Sequence, residues 1–194
     1  MRGLEILDDA VARHGDGLVL LCSFQKEESV LVDALLRVSS RPRIVTIDTG
    51  VLFPETLATW RAFEERFGVD VEIEDASGDW TASQCCGDAK VAALERALAG
   101  ADAWITGIRR EQGPTRADAE PIEFDDKRGI WKYNPLFDWT EKDLWRRIHA
   151  RDLPYHPLHD QGYSSIGCAP CTNPGSGREG RWAGLTKTEC GLHV

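Results

Sequence analysis

Short apolar runs alternate with amphipathic segments along the first hundred residues of the chain. Residues 17–24, GLVLLCSF, form an apolar run that ends in a polar turn, which is typical of a buried parallel strand. Residues 27–38 then place their apolar side chains at helical intervals. Further strands are predicted at 41–50, 69–75 and 101–107, with helices at 54–68 and 88–100 between them. Such alternation predicts an α/β fold with a doubly wound, mainly parallel sheet.

The rest of the chain follows a different pattern. The alternation weakens after residue 110, where 121–136 is predicted to be extended and 140–152 to be a helix with Thr140 as its N-cap. Residues 153–184 are rich in Gly, Pro and Ser and contain cysteines and arginines, so we expect a functional loop there. A length of 194 residues predicts one domain over 1–194.

Charge and hydropathy exclude several classes of partner. The net charge of −9 is the wrong sign for a protein whose main partner is nucleic acid. No apolar run is long enough for a membrane span, and the first residues, MRGLEILDDA, are acidic where a signal peptide is basic. We therefore expect a cytoplasmic protein, in which six cysteines are more suited to metal binding or thiol chemistry than to disulfides.

Polar turns follow three of the predicted strands. Their sequences are SFQKEES after the first strand, DTG after the second and TGIRREQ after the fourth. In an open parallel sheet the ligand lies at the carboxyl ends of the strands, so we expect the substrate to lie across these turns. SFQKEES also begins a helix, whose amides and dipole favour an anion, although it lacks the glycines of a phosphate loop.

Four cysteines form two close pairs, Cys85 with Cys86 and Cys168 with Cys171. Four thiolates satisfy either a tetrahedral zinc or a 4Fe-4S cluster. Adjacent cysteines do not chelate one small ion easily, but neighbouring side chains on a helix diverge by roughly 100 degrees and can reach two irons. The spacing therefore favours an iron–sulfur cluster over zinc, and over four buried thiols without a metal. Cys22 lies within the first strand and is predicted to be a core residue.

Cys190 stands near the carboxyl terminus, close to Lys187 and His193 and downstream of Arg178 and Arg181. Nearby cations lower the pKa of a thiol, and the thiolate is the nucleophilic form. Cys190 is therefore a candidate nucleophile, with an ordinary surface thiol as the alternative.

Two groups of arginines are candidate anion-binding residues, since guanidinium forks suit phosphate or sulfate. Arg109, Arg110 and Arg116 follow the fourth strand, and Arg178 and Arg181 separate the C-x-x-C pair from Cys190. The alternative is a solvated rim of surface arginines. His156 and His159 are separated by a proline and are expected to serve a turn rather than a second metal site.

The ordered set of motifs resembles the iron–sulfur branch of the phosphoadenylyl-sulfate reductase family, the assimilatory adenylyl-sulfate reductases. The matching segments span residues 23–193 and are SFQKEES, TIDTGVLFPET, QCCGDAK, WITGIRREQGPTR, KYNPLFDWT, IGCAPCT to GREGRW, and ECGLH. The resemblance implies a fold of the adenine-nucleotide α-hydrolase-like type. It further implies that residues 154–194 form an iron–sulfur loop and a catalytic tail within the domain.

The resemblance also implies roles for individual residues. A 4Fe-4S cluster would be held by Cys85, Cys86, Cys168 and Cys171, with Cys190 as the nucleophile and Lys90 close to cluster and substrate. The implied substrate-binding residues are Ser23, Phe24, Gln25, Ile47, Asp48, Thr49, Gly50, Arg109, Arg110, Arg178, Arg181 and His193.

The implied activity is reduction of adenylyl sulfate to sulfite and AMP through an enzyme S-sulfocysteine, in sulfate assimilation and cysteine biosynthesis. Because Cys22 is expected to be buried, the second thiol should come from thioredoxin or a similar dithiol protein. A homo-oligomer is compatible with the resemblance, although only about sixteen residues precede the first strand.

The sequence also has three alternative interpretations. The first is use of 3′-phosphoadenylyl sulfate, alone or with adenylyl sulfate. The second is a zinc-binding, nucleotide-binding module without catalysis. An ATP-using enzyme acting on tRNA is disfavoured, because the chain has neither an S-G-G-x-D-S-like loop nor a basic charge balance.

Overall fold

A six-stranded sheet organises the protein. The computed structural model describes residues 3–78, 87–182, 189 and 192. The strands are β1 (Leu18–Leu21), β2 (Arg43–Asp48), β3 (Val71–Asp75), β4 (Ala103–Ile105), β5 (Ile122–Asp125) and β6 (Ile130–Tyr133). Their order across the sheet is β3-β2-β1-β4-β6-β5. All neighbouring pairs are parallel except β5 and β6, and Val19 of β1 lies between Arg43 of β2 and Trp104 of β4.

Helices connect the strands. The described α-helices are α1 (Ile6–His14), α2 (Lys26–Leu35), α3 (Pro54–Phe67), α4 (Asp88–Ala97) and α5 (Glu141–Arg151). Pro54 occupies the first turn of α3, and Gly68 ends that helix with a φ of 65°, a conformation that costs glycine little. Thr140 caps α5 by accepting a hydrogen bond from the Asp143 amide, as its position in the sequence predicts.

Both faces of the sheet are covered. Leu18 and Leu20 of β1 belong to a core shared with α1, α2, α3 and α5, whereas Val19 belongs to a second core with α4. Cys168 and Cys171 lie in that second core. The doubly wound, mainly parallel α/β fold predicted from the sequence is thus confirmed, with the carboxyl-terminal loop covering part of one face.

The later segments show where the sequence pattern was incomplete. The extended region 121–136 forms the antiparallel pair β5 and β6, of which β6 also pairs with β4 in parallel. The loop predicted at 153–184 contains the short 3-10 helices Pro157–Gln161 and Ala169–Cys171 and, among its described residues, no strand longer than an isolated bridge. In the described ranges, no helix combines the length and the apolar character that crossing a bilayer requires.

A left-handed residue turns the chain from β1 into α2. Phe24 has a φ of 58°, which is uncommon for a bulky side chain. Its ring is buried, stacked on Trp60 with 5.3 Å between the ring centroids and edge-on to Phe63 at 5.5 Å. Aromatic packing beneath the turn therefore stabilises a backbone conformation that would otherwise be unfavourable.

Two adjacent buried carboxyl groups follow this turn at the start of α2. Glu28 Oε2 accepts hydrogen bonds from the Gln25 amide at 3.0 Å and from Ser23 Oγ at 2.9 Å. Burial, together with the charge of Glu27, raises the pKa of Glu28 to about 8. Burial also disfavours the charged form of Glu27, but the cations of Arg109 and Lys26 outweigh it and lower the pKa of Glu27. At neutral pH Glu27 is therefore ionised and Glu28 protonated.

Glu28→Gln is expected to make the free energy of unfolding less dependent on pH between about 4.5 and about 8. The pKa of Glu28 is about 8 in the folded protein against 4.5 for an ordinary glutamate, so the folded state holds the extra proton between these values. The wild-type protein consequently loses stability as the pH rises from about 4.5 to about 8, by up to a few kcal/mol at about 1.4 kcal/mol per pKa unit. The amide does not titrate and removes this loss.

Urea unfolding at pH 5.5, 7.0 and 8.5 measures the effect. The matched control is Glu65→Gln, which removes an exposed carboxylate from α3 and should keep the wild-type pH slope. A Glu28→Gln protein with the same pH slope as the wild type would contradict the assignment of Glu28 as a protonated group.

Candidate active site

A cleft opens at the carboxyl edge of the sheet. Strand order reverses between β1 and β4, and in open α/β sheets ligands bind at such a switch point. Residues after β1, at the end of β2, after β4, on α4 and in the carboxyl-terminal loop all contribute to its walls. They include Ser23, Phe24, Gln25, Thr46, Ile47, Lys90, Gly107, Ile108, Gln112, Arg116, Ser165, Ile166, Gly167, Arg178, Arg181 and Leu192. This is the edge at which the sequence predicts the substrate.

The turn after β1 meets the carboxyl-terminal loop across the cleft. Gln25 Oε1 accepts a hydrogen bond from the Ile166 amide at 2.8 Å, and its Nε2 donates to Ser23 Oγ at 3.1 Å. Ser23, Phe24 and Gln25, the residues predicted to bind nucleotide, all line the cleft. Since the Phe24 ring is packed in the core, it is the Phe24 backbone that remains for contact with a ligand.

The turn after β2 supports the C-x-x-C loop. Of the four residues predicted there, Ile47 lines the cleft, while Asp48, Thr49 and Gly50 are not among the lining residues. Asp48 Oδ1 accepts from the Gly50 amide at 2.8 Å, and Gly50 adopts a φ of 71° that favours glycine. Thr49 Oγ1 lies 3.2 Å from Cys168 Sγ in a buried contact. The DTG sequence thus positions a predicted cluster ligand beside the cleft.

Cys168 and Cys171 face an apolar environment on a short 3-10 helix. Both residues are buried, and the Cys171 amide donates to the Cys168 carbonyl at 3.2 Å. Further backbone bonds run from the Ala169 amide to Val51 at 2.9 Å and from the Trp182 amide to Cys171 at 2.9 Å. The two thiols are therefore held close together by backbone geometry.

The other predicted ligands, Cys85 and Cys86, lie outside the described residues. They directly precede Gly87, the N-cap of α4, and α4 packs in the same apolar core as Cys168 and Cys171. Within the described ranges, no three His, Cys, Asp or Glu side chains are grouped as a metal site. Of the four predicted ligands, the described ranges contain Cys168 and Cys171.

Arg109 and Arg110 are not among the residues that line the cleft. The Arg109 side chain is buried and donates to Glu27 at 2.9 Å, to Glu111 at 2.8 Å and to the Trp139 carbonyl at 3.1 Å. Arg110 donates to the Ala119 carbonyl at 2.8 Å and pairs with Glu120 at the surface. In this structure both arginines hold the turn after β4 in place.

Arg116, which follows in the same sequence run, does line the cleft. Its Nη1 donates to Gln112 Oε1 at 2.6 Å, and Gln112 Nε2 donates to Glu27 Oε1 at 3.1 Å. Glu27 in turn pairs with Arg109. In the sequence Arg116 is one arginine among three; in the fold it is the one of the three that lines the cleft and pairs with Glu189.

Arg178 and Arg181, which are predicted to bind the substrate, line the cleft. Both guanidinium groups lie over the Trp182 ring, with Arg181 Cζ 4.5 Å from its centroid. Arg181 is 8% exposed, and its buried Nε has no hydrogen-bond acceptor among the described residues. Buried donors of this kind are normally hydrogen-bonded, and a guanidinium group is suited to an oxyanion.

The charged side chains give the cleft a positive character. Lys90, Arg116, Arg178 and Arg181 contribute cations, while the acidic residues on its wall are Glu27 and Glu28. Arg109 neutralises Glu27, and Glu28 is protonated near pH 7 because its pKa is about 8. Glu189 of the tail pairs with Arg116 and Arg178 and offsets one of the four cations. An anion entering the cleft therefore meets cations despite the acidic composition of the chain.

Cys190 and His193 lie outside the described residues, but two of their neighbours in sequence are described. Leu192 lines the cleft. Glu189 pairs with Arg116 at 2.8 Å and with Arg178 at 2.6 Å. Both described residues of the tail are thus at the cleft, which sequence patterns alone did not indicate.

The histidines of YHPLHD belong to the turn, as expected. His156 Nδ1 accepts from the Leu158 amide at 3.3 Å, and its Nε2 lies 2.9 Å from Thr56 Oγ1. Burial, with a smaller contribution from the nearby His159, lowers the pKa of His156 to about 4. A neutral imidazole therefore joins α3 to this loop.

Comparisons with known proteins identify relatives of similar length. Adenosine 5′-phosphosulfate reductase of Bacillus pumilus (strain SAFR-032) is 45% identical, over 98% of this chain and 90% of the relative. Phosphoadenosine 5′-phosphosulfate reductase of Gloeobacter violaceus is 44% identical, over 97% of this chain and 87% of the relative.

Solved structures extend the comparison to the fold. Phosphoadenylyl-sulfate reductase from Candida auris, in a phosphate complex, superposes with a TM-score of 0.74 and 26% identity over 89% of this chain and 91% of that one. Candida glabrata FMN adenylyltransferase with ATP shares the fold, with a TM-score of 0.68 and 18% identity over 90% of this chain and 63% of that one. Residues 17–174 match the family described as phosphoadenosine phosphosulfate reductase domain, and the chain belongs to that family.

Proposed function

We propose that the protein reduces adenylyl sulfate to sulfite and AMP, with electrons from a dithiol protein such as thioredoxin. The observation that carries the proposal is the cationic cleft at the switch point, where Arg116, Arg178 and Arg181 meet Lys90. Relatives named as reductases of this sulfonucleotide, at 45% and 44% identity, give independent support. Cationic clefts at this position in α/β folds commonly bind anionic nucleotides.

The substrate contains two anionic groups in one phosphosulfate anhydride. We assign the nucleoside to the β1 and β2 turns, at Ser23, Phe24, Gln25 and Ile47. The phosphosulfate then lies towards the arginines, where the buried Nε of Arg181 supplies a donor. Bidentate guanidinium groups suit the oxygens of phosphate and sulfate and neutralise charge on the transferring group.

The first chemical step is nucleophilic attack by the Cys190 thiolate on the sulfate sulfur. A sulfur–sulfur bond forms while the bond from sulfur to the bridging oxygen breaks, and AMP leaves with that oxygen. The product on the enzyme is an S-sulfocysteine. Lys90 and the cleft arginines favour the thiolate and the developing charge on the phosphate.

Release of sulfite needs two electrons, which two external thiols supply. One partner thiolate attacks Cys190 Sγ and expels sulfite, and the second partner thiol resolves the mixed disulfide, so the partner leaves oxidised. Cys22 is a poor internal substitute, because burial and the neighbouring Glu28 carboxyl raise the pKa of its thiol. Such exchange requires reduced thiols, so we place the reaction in the cytoplasm, as a step of sulfate assimilation towards cysteine.

Cys190→Ser is expected to abolish sulfite release while nucleotide binding persists, because it removes the nucleophile and no binding group. Adenylyl sulfate labelled in its sulfate, incubated with wild-type protein without reductant, should leave label on Cys190. The matched control is Cys22→Ala, which should still be labelled. Label on another cysteine, or activity in Cys190→Ser, would reject this role.

The residues around Cys168 and Cys171 fit a 4Fe-4S cluster. Two thiols on one short turn, buried among apolar side chains beside α4, form half of a four-thiolate set. Cys85 and Cys86, immediately before α4, would supply the other half. When bound, the cluster would contribute structure and a local charge, because the thiols already account for both electrons.

Protein purified without oxygen should be brown and contain about four irons and four acid-labile sulfides per chain. Cys171→Ser should lose most of this iron and the visible absorbance, because it removes one of the four thiolates. Cys22→Ala, which changes a buried cysteine outside the proposed ligand set, should keep both. Stoichiometric zinc without sulfide would instead favour the zinc-binding alternative.

The choice between the two sulfonucleotides is a finer point. A relative of 45% identity is named for adenosine 5′-phosphosulfate and one of 44% identity for its 3′-phosphorylated form, so the names of the relatives do not decide between the two substrates. The charges favour adenylyl sulfate. Lys26 Nζ donates to the Ser164 carbonyl at 2.6 Å and lies 3.4 Å from Glu141, while Arg109 is committed to Glu27. Neither cation is available to pair with an additional phosphate.

We expect kcat/KM for adenylyl sulfate to exceed that for 3′-phosphoadenylyl sulfate by about tenfold or more, the effect of one missing charged hydrogen bond. Steady-state kinetics with both nucleotides and a saturating thioredoxin decide the point. Equal or higher values for the 3′-phosphorylated compound would overturn the preference and leave the chemistry of sulfite release intact.

A further inference from the structure

Glu189, the residue before Cys190, is enclosed by the donors of the cleft. Its Oε2 accepts from Arg116 Nε at 2.9 Å and from Thr115 Oγ1 at 3.1 Å. Its Oε1 accepts from Arg116 Nη2 at 2.8 Å and from Arg178 Nη2 at 2.6 Å. The side chain is 8% exposed, so this carboxylate is a buried anion held by two guanidinium groups.

The donors around Glu189 have the geometry of an oxyanion site. Arg116 presents Nε and Nη2 in parallel, the fork that recognises carboxylate, phosphate and sulfate alike. The same guanidinium is fixed from its other side, where Nη1 donates to Gln112. Gln112 is itself bound to the buried Glu27. The fork is therefore oriented by the protein interior, independently of Glu189.

We propose that Glu189 occupies the position of the substrate's phosphosulfate group between Arg116 and Arg178, and that substrate binding displaces it. This inference rests on the proposed function, because it takes adenylyl sulfate as the ligand of the cleft. Glu189 is then a positioning residue. Since it is bonded directly to Cys190 in the chain, its displacement couples arrival of the substrate to the placement of the nucleophile.

Displacement follows from the sharing of donors. The carboxylate uses both N–H groups of the Arg116 fork and one of Arg178. An oxyanion bound to the same fork would lie where the Glu189 oxygens now lie, and two anions at that separation repel strongly in a buried site. Once the substrate oxyanion accepts the hydrogen bonds of Arg116 and Arg178, the neutral hydroxyl of Thr115 attracts the carboxylate too weakly to retain it.

The test is the affinity for adenylyl sulfate, measured by calorimetry in a Cys190→Ser background so that no transfer occurs. Glu189→Gln and Glu189→Ala should both lower Kd, by about tenfold if the carboxylate holds the site in nine molecules of ten. Glu179→Gln is the matched control, since it removes an exposed carboxylate from the same loop beside Arg178 and should leave Kd unchanged. Arg116→Gln should raise Kd.

The outcomes separate this inference from the proposed function. An unchanged or higher Kd in both Glu189 variants would overturn the competition, and so would an equal decrease in Glu179→Gln, which would indicate a general charge effect. Failure of the Cys190→Ser parent to bind adenylyl sulfate at all would contradict the proposed function itself. A purely structural role for Glu189 predicts weaker binding on its removal, the opposite of the expected result.

Discussion

Hydrogen bonds from the carboxyl-terminal loop to the turns after β1 and β2 create the site. The Ile166 amide donates to the Gln25 side chain, the Ala169 amide donates to the Val51 carbonyl, and Thr49 contacts Cys168. These bonds fix a glycine- and proline-rich segment that has little regular structure of its own. Without them, neither the C-x-x-C pair nor Arg181 would have a defined position against the sheet.

The buried charges of the cleft form a connected set whose balance determines its electrostatics. Arg109 keeps Glu27 ionised, Glu27 orients Gln112, and Gln112 orients Arg116. Glu28, next to Glu27, is left protonated by burial and by that neighbouring charge. An acidic chain thereby presents cations to the one place where an anion must bind. Glu27 is compensated by Arg109, whereas Glu189 lies between Arg116 and Arg178.

Repeating patterns made much of the fold predictable. The β1 and β2 runs and the helices after them follow directly from apolar spacing, and the strand-end turns indicated the edge of the sheet at which the cleft opens. Helix α1 is not among the predicted elements, which begin with the first strand. Which arginines face the cleft depends on tertiary partners that the sequence pattern does not contain. Arg109 and Arg116 are similar in sequence, but in the fold Arg109 pairs with Glu27 and Arg116 pairs with Glu189. The contact between Thr49 and Cys168 also depends on the tertiary fold, because 119 positions separate the two residues along the chain.

A crystal structure of the Cys190→Ser protein with adenylyl sulfate tests the account most directly. The account predicts the nucleoside at the turns after β1 and β2, with the phosphosulfate oxygens within hydrogen-bond distance of Arg181 Nε and of the Arg116 fork. A phosphosulfate bound instead by Arg109 or Arg110, with Glu189 still between Arg116 and Arg178, would contradict it.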